Sequence, residues 1–149
     1  MTADHDELPD SAVRSARELR ALFSRLRTGL RGVADTHDLT PSQAAVLSRL
    51  DKQGVSSTSV LAAAERVRPQ SMAATVAGLE KQGLVQREPD PEDGRRQLIT
   101  LTEAGRNRIE GDRQARREWL ARAFGEQFTE GERQEVLRAL SLLARLTQS

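Results

Sequence analysis

The chain has no cysteine. That absence excludes disulfides, a thiol nucleophile, a cysteine redox sensor and any Cys-based zinc site. Histidine is nearly missing as well. His5 stands in a polar N-terminal segment and His37 in a turn, so no pair at metal-ligand spacing exists, and neither a transition-metal centre nor another cofactor is expected. Tyrosine is absent and aromatics make up 3% of the chain, although substrate pockets usually lean on aromatic walls. No serine has a credible histidine base, and there is no phosphate-cradling glycine loop and no His-Glu-x-x-His pair. The sequence is therefore not expected to encode an enzyme. The acidic run from Asp90 to Asp93 lacks the alternating oxygen ligands and closing glutamate of a cation loop and reads as a turn. No apolar stretch approaches the roughly 20 residues of a membrane span. The acidic opening MTADHDELPD has no apolar core of a signal peptide, so a cytoplasmic location is expected. An excess of one charge is also lacking. With a net charge of +1, any nucleic-acid contact has to come from local placement of charge. All but Lys52 and Lys81 of the 23 basic residues are arginine, the better fork for phosphate and guanine, a bias that a GC-rich genome would also produce.

What is present is organised around residues 66–101. The spacing predicts a helix over 68–83, with Pro69 in its first turn, where the missing N–H is no loss. Met72, Val76 and Leu79 form its buried stripe, and Gly83 stands where a helix C-terminal glycine belongs. A strand over 84–88, a tip over 89–96 rich in proline, acids and glycine, and a second strand over 97–101 complete a hairpin. Gln70, Ser71, Ala74 and Thr75 lie off the buried stripe. They are small or hydrogen-bonding, as close approach to base edges requires. Arg68 precedes the helix, and Arg95 and Arg96 stand on the tip. A polar helix face and a solvated turn would read alike on these residues alone, so the neighbouring elements carry the decision.

Those neighbours fit. The first ten residues read as a mobile tail. An amphipathic helix follows over 11–33, with Leu19, Leu22, Phe23, Leu26, Leu30 and Val33 on one face and Arg14, Arg17, Arg20, Arg25, Arg27 and Arg31 opposite, a basic face that charge patterning assigns to solvent. After a turn over 35–39, Thr40, Pro41 and Gln43 open a second helix with a capping box, whose apolar side is Ala45, Val46, Leu47 and Leu50. Val55 is expected to form a one-residue bridge to the hairpin. Ser56, Ser57 and Thr58 offer N-caps and helix-start N–H groups to a third helix over 59–67, with Val60, Leu61 and Ala64 inward. Two helices joined by a tight turn directly before a hairpin make a winged helix-turn-helix. A fifth helix over 102–125 has a middle too polar for a core and reads as a bridge between two bodies. Thr129 and Glu132 cap a last helix bearing Val136, Leu137, Leu140, Leu143, Ala144 and Leu146. The terminal helices carry more apolar surface than the chain after them can cover. Dimerisation explains this; folding back on their own domain is the competing reading.

With these residues in view, the chain resembles the MarR family of bacterial transcriptional regulators over roughly residues 11–146. Asp93-Gly94-Arg95-Arg96, followed by Ile99, Leu101, Thr102 and Gly105, is similar to that family's wing signature. Residues 66–72 resemble the start of the recognition helix in an actinobacterial branch. The implied fold is mainly α with a small β-hairpin wing: a winged helix-turn-helix over 40–101, with dimerisation helices over 11–35 and 102–147 in a single domain spanning 11–149. The resemblance implies a homodimer on double-stranded DNA, acting more often as repressor than activator. It also implies a small, often aromatic or lipophilic effector that releases the DNA. Arg95 would enter the minor groove with Asp93 as its orienting partner, and Gln70, Ser71 and Thr75 would face the major groove. Lack of cysteine and of a histidine set separates the chain from the family's thiol-oxidation and zinc sensors. A winged helix serving only to dock another protein is the reading from a different class.

Overall fold

The computed structural model describes residues 8–34 and 38–148. His5, His37, most of the expected N-terminal tail and the first three residues of the 35–39 turn lie outside the described residues. Of the tail, Asp10 already belongs to the first helix.

The elements follow in the order α1 (Asp10–Arg31), α2 (Pro41–Gln53), β1 (Ser56–Ser57), α3 (Thr58–Glu65), α4 (Pro69–Lys81), β2 (Val85–Pro89), β3 (Gln97–Leu101), α5 (Glu103–Gln127) and α6 (Glu130–Leu143). A 3-10 turn, Ala144–Thr147, ends the described chain. Both capping boxes form. The Thr40 hydroxyl accepts from the Gln43 N–H while Gln43 Oε1 accepts from the Thr40 N–H, and Thr129 and Glu132 repeat the exchange. Each supplies two helix-start N–H groups with acceptors.

One core cluster holds the molecule. It combines Val46, Leu47 and Leu50 of α2, Leu61 and Ala62 of α3, and Met72, Val76 and Leu79 of α4. Leu39, Leu84, Val85, Ile99 and Leu101 complete it, with Ile109 of α5 packed against it. Each of the large side chains contributes about 1.5–3 kcal/mol by leaving water. All of this core belongs to the winged helix or its immediate flank. Neither α1 nor α6 buries a single residue.

The sheet is antiparallel with strand order β1-β3-β2. Ser56 pairs with Ile99 and Ser57 with Leu98, and β2 pairs with β3 from Val85↔Leu101 to Pro89↔Gln97. The bridge to the hairpin is thus made by Ser56 and Ser57, not by Val55, which is 54% exposed. The inward face of α3 also differs from expectation. Starting at Thr58, the helix turns Leu61 and Ala62 into the core and leaves Val60 48% exposed and Ala64 exposed. Its less exposed residues, Thr58, Leu61, Ala62 and Glu65, keep helical spacing but in a different phase.

Two backbone devices set the geometry around α4. Its end is a Schellman turn: Gly83 has φ 74, its N–H reaches the Glu80 carbonyl and the Leu84 N–H reaches that of Leu79. The start of α5 then docks on the same corner. The Thr102 hydroxyl donates to the Gly83 carbonyl at 2.6 Å and accepts from the Gly105 N–H at 3.0 Å, and the Thr102 N–H reaches the Leu84 carbonyl. A Cβ on Gly105 would collide with that carbonyl oxygen. The Leu-Thr-x-x-Gly pattern is therefore a docking joint between wing and α5.

The polar middle of α5 has partners rather than bare solvent. Arg108 grips Asp38 with two bonds of 2.8 and 2.9 Å, which above all else raises its pKa, so the guanidinium stays charged at any accessible pH. Arg113 pairs with Asp51, and Arg116 donates to the Leu30 carbonyl. The stretch read as a bridge is tied to the end of α1, the segment after it and α2.

Candidate nucleic-acid interface

α4 presents its first two turns to solvent. Gln70, Ser71 and Ala74 are exposed, while Met72, Val76 and Leu79 anchor the opposite side. Thr75 is half-buried and donates its hydroxyl to the Ser71 carbonyl at 3.1 Å. Its hydroxyl proton is thus committed to the helix, leaving the methyl and the oxygen's acceptor capacity. Ser71, Met72 and Thr75 also line a hollow of about 100 Å³ with Ser42, Glu65 and Val67. Pro69 occupies the first turn and Arg68 the N-cap, without a side-chain cap and with no acid in the first turn. The N–H groups at this helix start are therefore open to an anion.

The wing tip is organised by its acids. Asp90 Oδ1 accepts from the Glu92 N–H at 2.9 Å, and Asp93 Oδ1 accepts from the Arg95 N–H at 3.1 Å. Such turns, in which a side chain bonds the backbone two residues on, fix a tight loop locally. Asp93 orients Arg95 through that residue's backbone, not through its guanidinium. The tip closes with Arg96 N–H to the Asp93 carbonyl and Asp90 N–H to the Arg96 carbonyl, both 2.9 Å.

The helix-start serines divide. Ser57 is the N-cap of α3, its hydroxyl accepting from the Val60 N–H at 3.3 Å, and Thr58 is the first helical residue. Ser56 does not present its side chain. It lies in β1 with 8% exposure and its hydroxyl has no partner, because its strand position shares the pairing that buries Ile99. Its side chain is therefore not available to a DNA contact.

Arginine placement sorts the cations. Arg49, Arg87, Arg108, Arg113, Arg117 and Arg133 are ion-paired, so their charge is spent within the fold. Arg66, Arg68 and Arg95 are exposed, and their guanidinium groups have no partner among the described residues. The arginines of α1 likewise show no partner among the described residues; what sets Arg66, Arg68 and Arg95 apart is their place before α4 or on the wing tip. Arg66 was not singled out by sequence reasoning. It closes α3 at φ 55, with its N–H on the Ala63 carbonyl and the Val67 N–H on that of Ala62. A basic residue in the turn of a helix-turn-helix was the available signal.

A cleft of about 340 Å³ is lined by Asp38, Asn107, Arg108, Gly111 and Asp112, charged and polar residues rather than the walls an aromatic ligand favours. Among the described residues no cluster of His, Cys, Asp or Glu is arranged for a metal ion, and no helix is long and apolar enough to cross a membrane.

Comparison with known proteins agrees with this geometry. The model of the MarR family matches residues 37–96, from the approach to α2 through the wing tip. An HTH-type transcriptional regulator of Mycobacterium tuberculosis is 38% identical over 112 residues, 75% of this chain and 78% of its own length. The HTH-type transcriptional repressor MdtR of Bacillus subtilis is 28% identical over 131 residues, 88% of this chain and 82% of its own. The crystal structure of a transcriptional regulator from Pseudomonas aeruginosa superimposes with a TM-score of 0.76 at 36% identity, covering 95% of this chain and 99% of that one. By sequence, by fold and by the layout of its recognition helix and wing, the chain belongs to the MarR family.

Proposed function

We propose that the protein is a sequence-specific regulator that binds double-stranded DNA as a homodimer and represses transcription. The observation that carries this is the solvent-facing set Gln70, Ser71 and Ala74 on α4, together with Arg66, Arg68 and Arg95, whose guanidinium groups have no partner among the described residues. α4 would lie in a major groove, where Gln70 reads adenine and Ala74 with the Thr75 methyl touches thymine. Arg95, on a tip whose loop is already fixed, would enter the flanking minor groove and respond to its width. Arg66, Arg68, Thr58 and the open N–H groups at the α4 start would hold phosphates, which position without specifying. Repression is the role named for the Bacillus subtilis relative. The small effector implied by family resemblance belongs to this reading only as a class, because the cleft beside Arg108 is polar.

The second copy follows from α1 and α6. Both bury nothing within the chain, yet Leu22, Phe23, Leu26, Leu137, Leu140 and Leu143 are among their exposed side chains. An apolar face of that extent seeks a partner, and a two-fold partner would space two α4 helices about one DNA turn apart. Selection of binding sites from a pool of random duplexes tests the reading. Convergence on two inverted half-sites centred about 10 base pairs apart is expected. A pool that never enriches would favour a winged helix that docks protein instead.

A further inference from the structure

The two arginines of the wing tip have different surroundings. The Arg95 guanidinium has no partner among the described residues. Arg96 Nη2 donates to Ser57 Oγ at 3.0 Å. That hydroxyl is already the N-cap acceptor for Val60 and lies 3.1 Å from Ser59 Oγ. With two lone pairs and one proton, the Ser57 hydroxyl can accept from Val60 and Arg96 and donate to Ser59, which uses all its capacity. Ser57 is 5% exposed and held in β1 against Leu98, so it is a fixed post. Arg96 meanwhile closes the tip through both its backbone groups. Its side chain therefore joins the far end of the wing to the start of α3. The wing needs such a tie. β1 reaches only Leu98 and Ile99 of β3, and beyond it the hairpin is a two-stranded ribbon, which is marginal alone.

We propose that Arg96 is a positioning residue rather than a DNA contact. Its bond to Ser57 sets the angle at which the wing presents Arg95, so that wing and recognition helix meet DNA as one rigid unit. The proposal rests on the DNA-binding reading above and reassigns one residue that sequence reasoning placed among the contacts.

The test uses the full-length protein and the duplex obtained by site selection, with affinity measured by fluorescence anisotropy over a series of salt concentrations. Arg96→Ala and Ser57→Ala are each expected to weaken binding about tenfold, as loss of a charged hydrogen bond implies. The double variant should fall about as far as either single one. The slope of affinity against salt should stay that of the unaltered protein, and Ser57→Thr, which keeps cap and acceptor, should restore binding. Losses that multiply in the double variant, or a salt slope reduced by about one per subunit in Arg96→Ala, would overturn the proposal and make Arg96 a phosphate contact. Hydrogen exchange at the Asp90 and Arg96 amides in the free protein separates this from failure of the DNA reading. Faster exchange in both single variants supports the tie even if no duplex is bound, and unchanged exchange overturns it.

Discussion

Arg66 occupies the left-handed region at φ 55, the one non-glycine residue with positive φ among those described. An L-residue there costs about 1 kcal/mol, and glycine would sit there without that cost. We expect Arg66→Gly to raise stability to urea by up to about 1 kcal/mol. The same change should weaken DNA binding and reduce the salt slope by about one per subunit. Higher stability with unchanged binding would make Arg66 an ordinary turn residue. Ser56 makes the opposite case, a polar group with nothing to bond. Because its hydroxyl is buried and unpartnered, Ser56→Ala should leave stability unchanged or slightly higher in urea denaturation, and DNA binding untouched. At this scale the sequence was only partly legible. Ser56 and Ser57 are the same residue type side by side and both are buried; only the start of α3 against β1 shows that the Ser57 hydroxyl caps the helix while that of Ser56 has no partner among the described residues. Thr75 was legible as lying off the buried stripe but not as bonded to Ser71, because a threonine hydroxyl can turn either outward or back to the helix.

Elements with strong local signals were read nearly as they stand. The capping boxes at Thr40 and Thr129, Pro69 at the start of α4 and Gly83 after it fix helix ends by local chemistry, which neighbours in space do not alter. β3 was read with the bounds it has, Gln97–Leu101. The phase of α3 was not legible. That helix spans Thr58–Glu65 and is rich in alanine, so apolar type does not distinguish its inner face, and Val60 ends up outside. The polar middle of α5 was legible as lying outside the core, but not its partners, because Asp38 and Asp51 are far away in sequence. Gly105 carries the sharpest prediction for an element. Its missing Cβ lets the Leu84 carbonyl approach α5, and the obstacle is backbone, which cannot swing aside. Gly105→Ala should cost about 1–3 kcal/mol, whereas an alanine at Gly111, where a Cβ meets nothing, should stabilise the helix by about 1 kcal/mol. Chemical denaturation of the two variants side by side checks both signs.

For the whole molecule, the division between a buried winged helix and unburied terminal helices governs behaviour. A charged residue at the centre of the α1 apolar face, as in Phe23→Glu, should leave the winged-helix core intact, since Phe23 is 65% exposed. The expected result in sedimentation is a fall from twice 16.5 kDa to 16.5 kDa, accompanied by weaker operator binding, because one recognition helix then works alone. A variant that keeps the mass of the unaltered protein would place the partner's seat elsewhere. The modest net charge of +1 has a consequence at the same scale. Binding cannot rest on general attraction and has to come from cations gathered around α4 and the wing, so removing one of them should be felt strongly.

The most direct test of the central claim is fluorescence anisotropy of the protein on its selected duplex and on a scrambled duplex across a range of salt, with Arg95→Ala alongside. The account predicts tight binding to the selected duplex alone, weakening steeply with salt. Arg95→Ala should fold normally, bind more weakly and show a shallower slope. Equal affinity for both duplexes, or an Arg95→Ala variant that binds like the unaltered protein, would contradict the assignment of α4 and the wing as a DNA-reading unit.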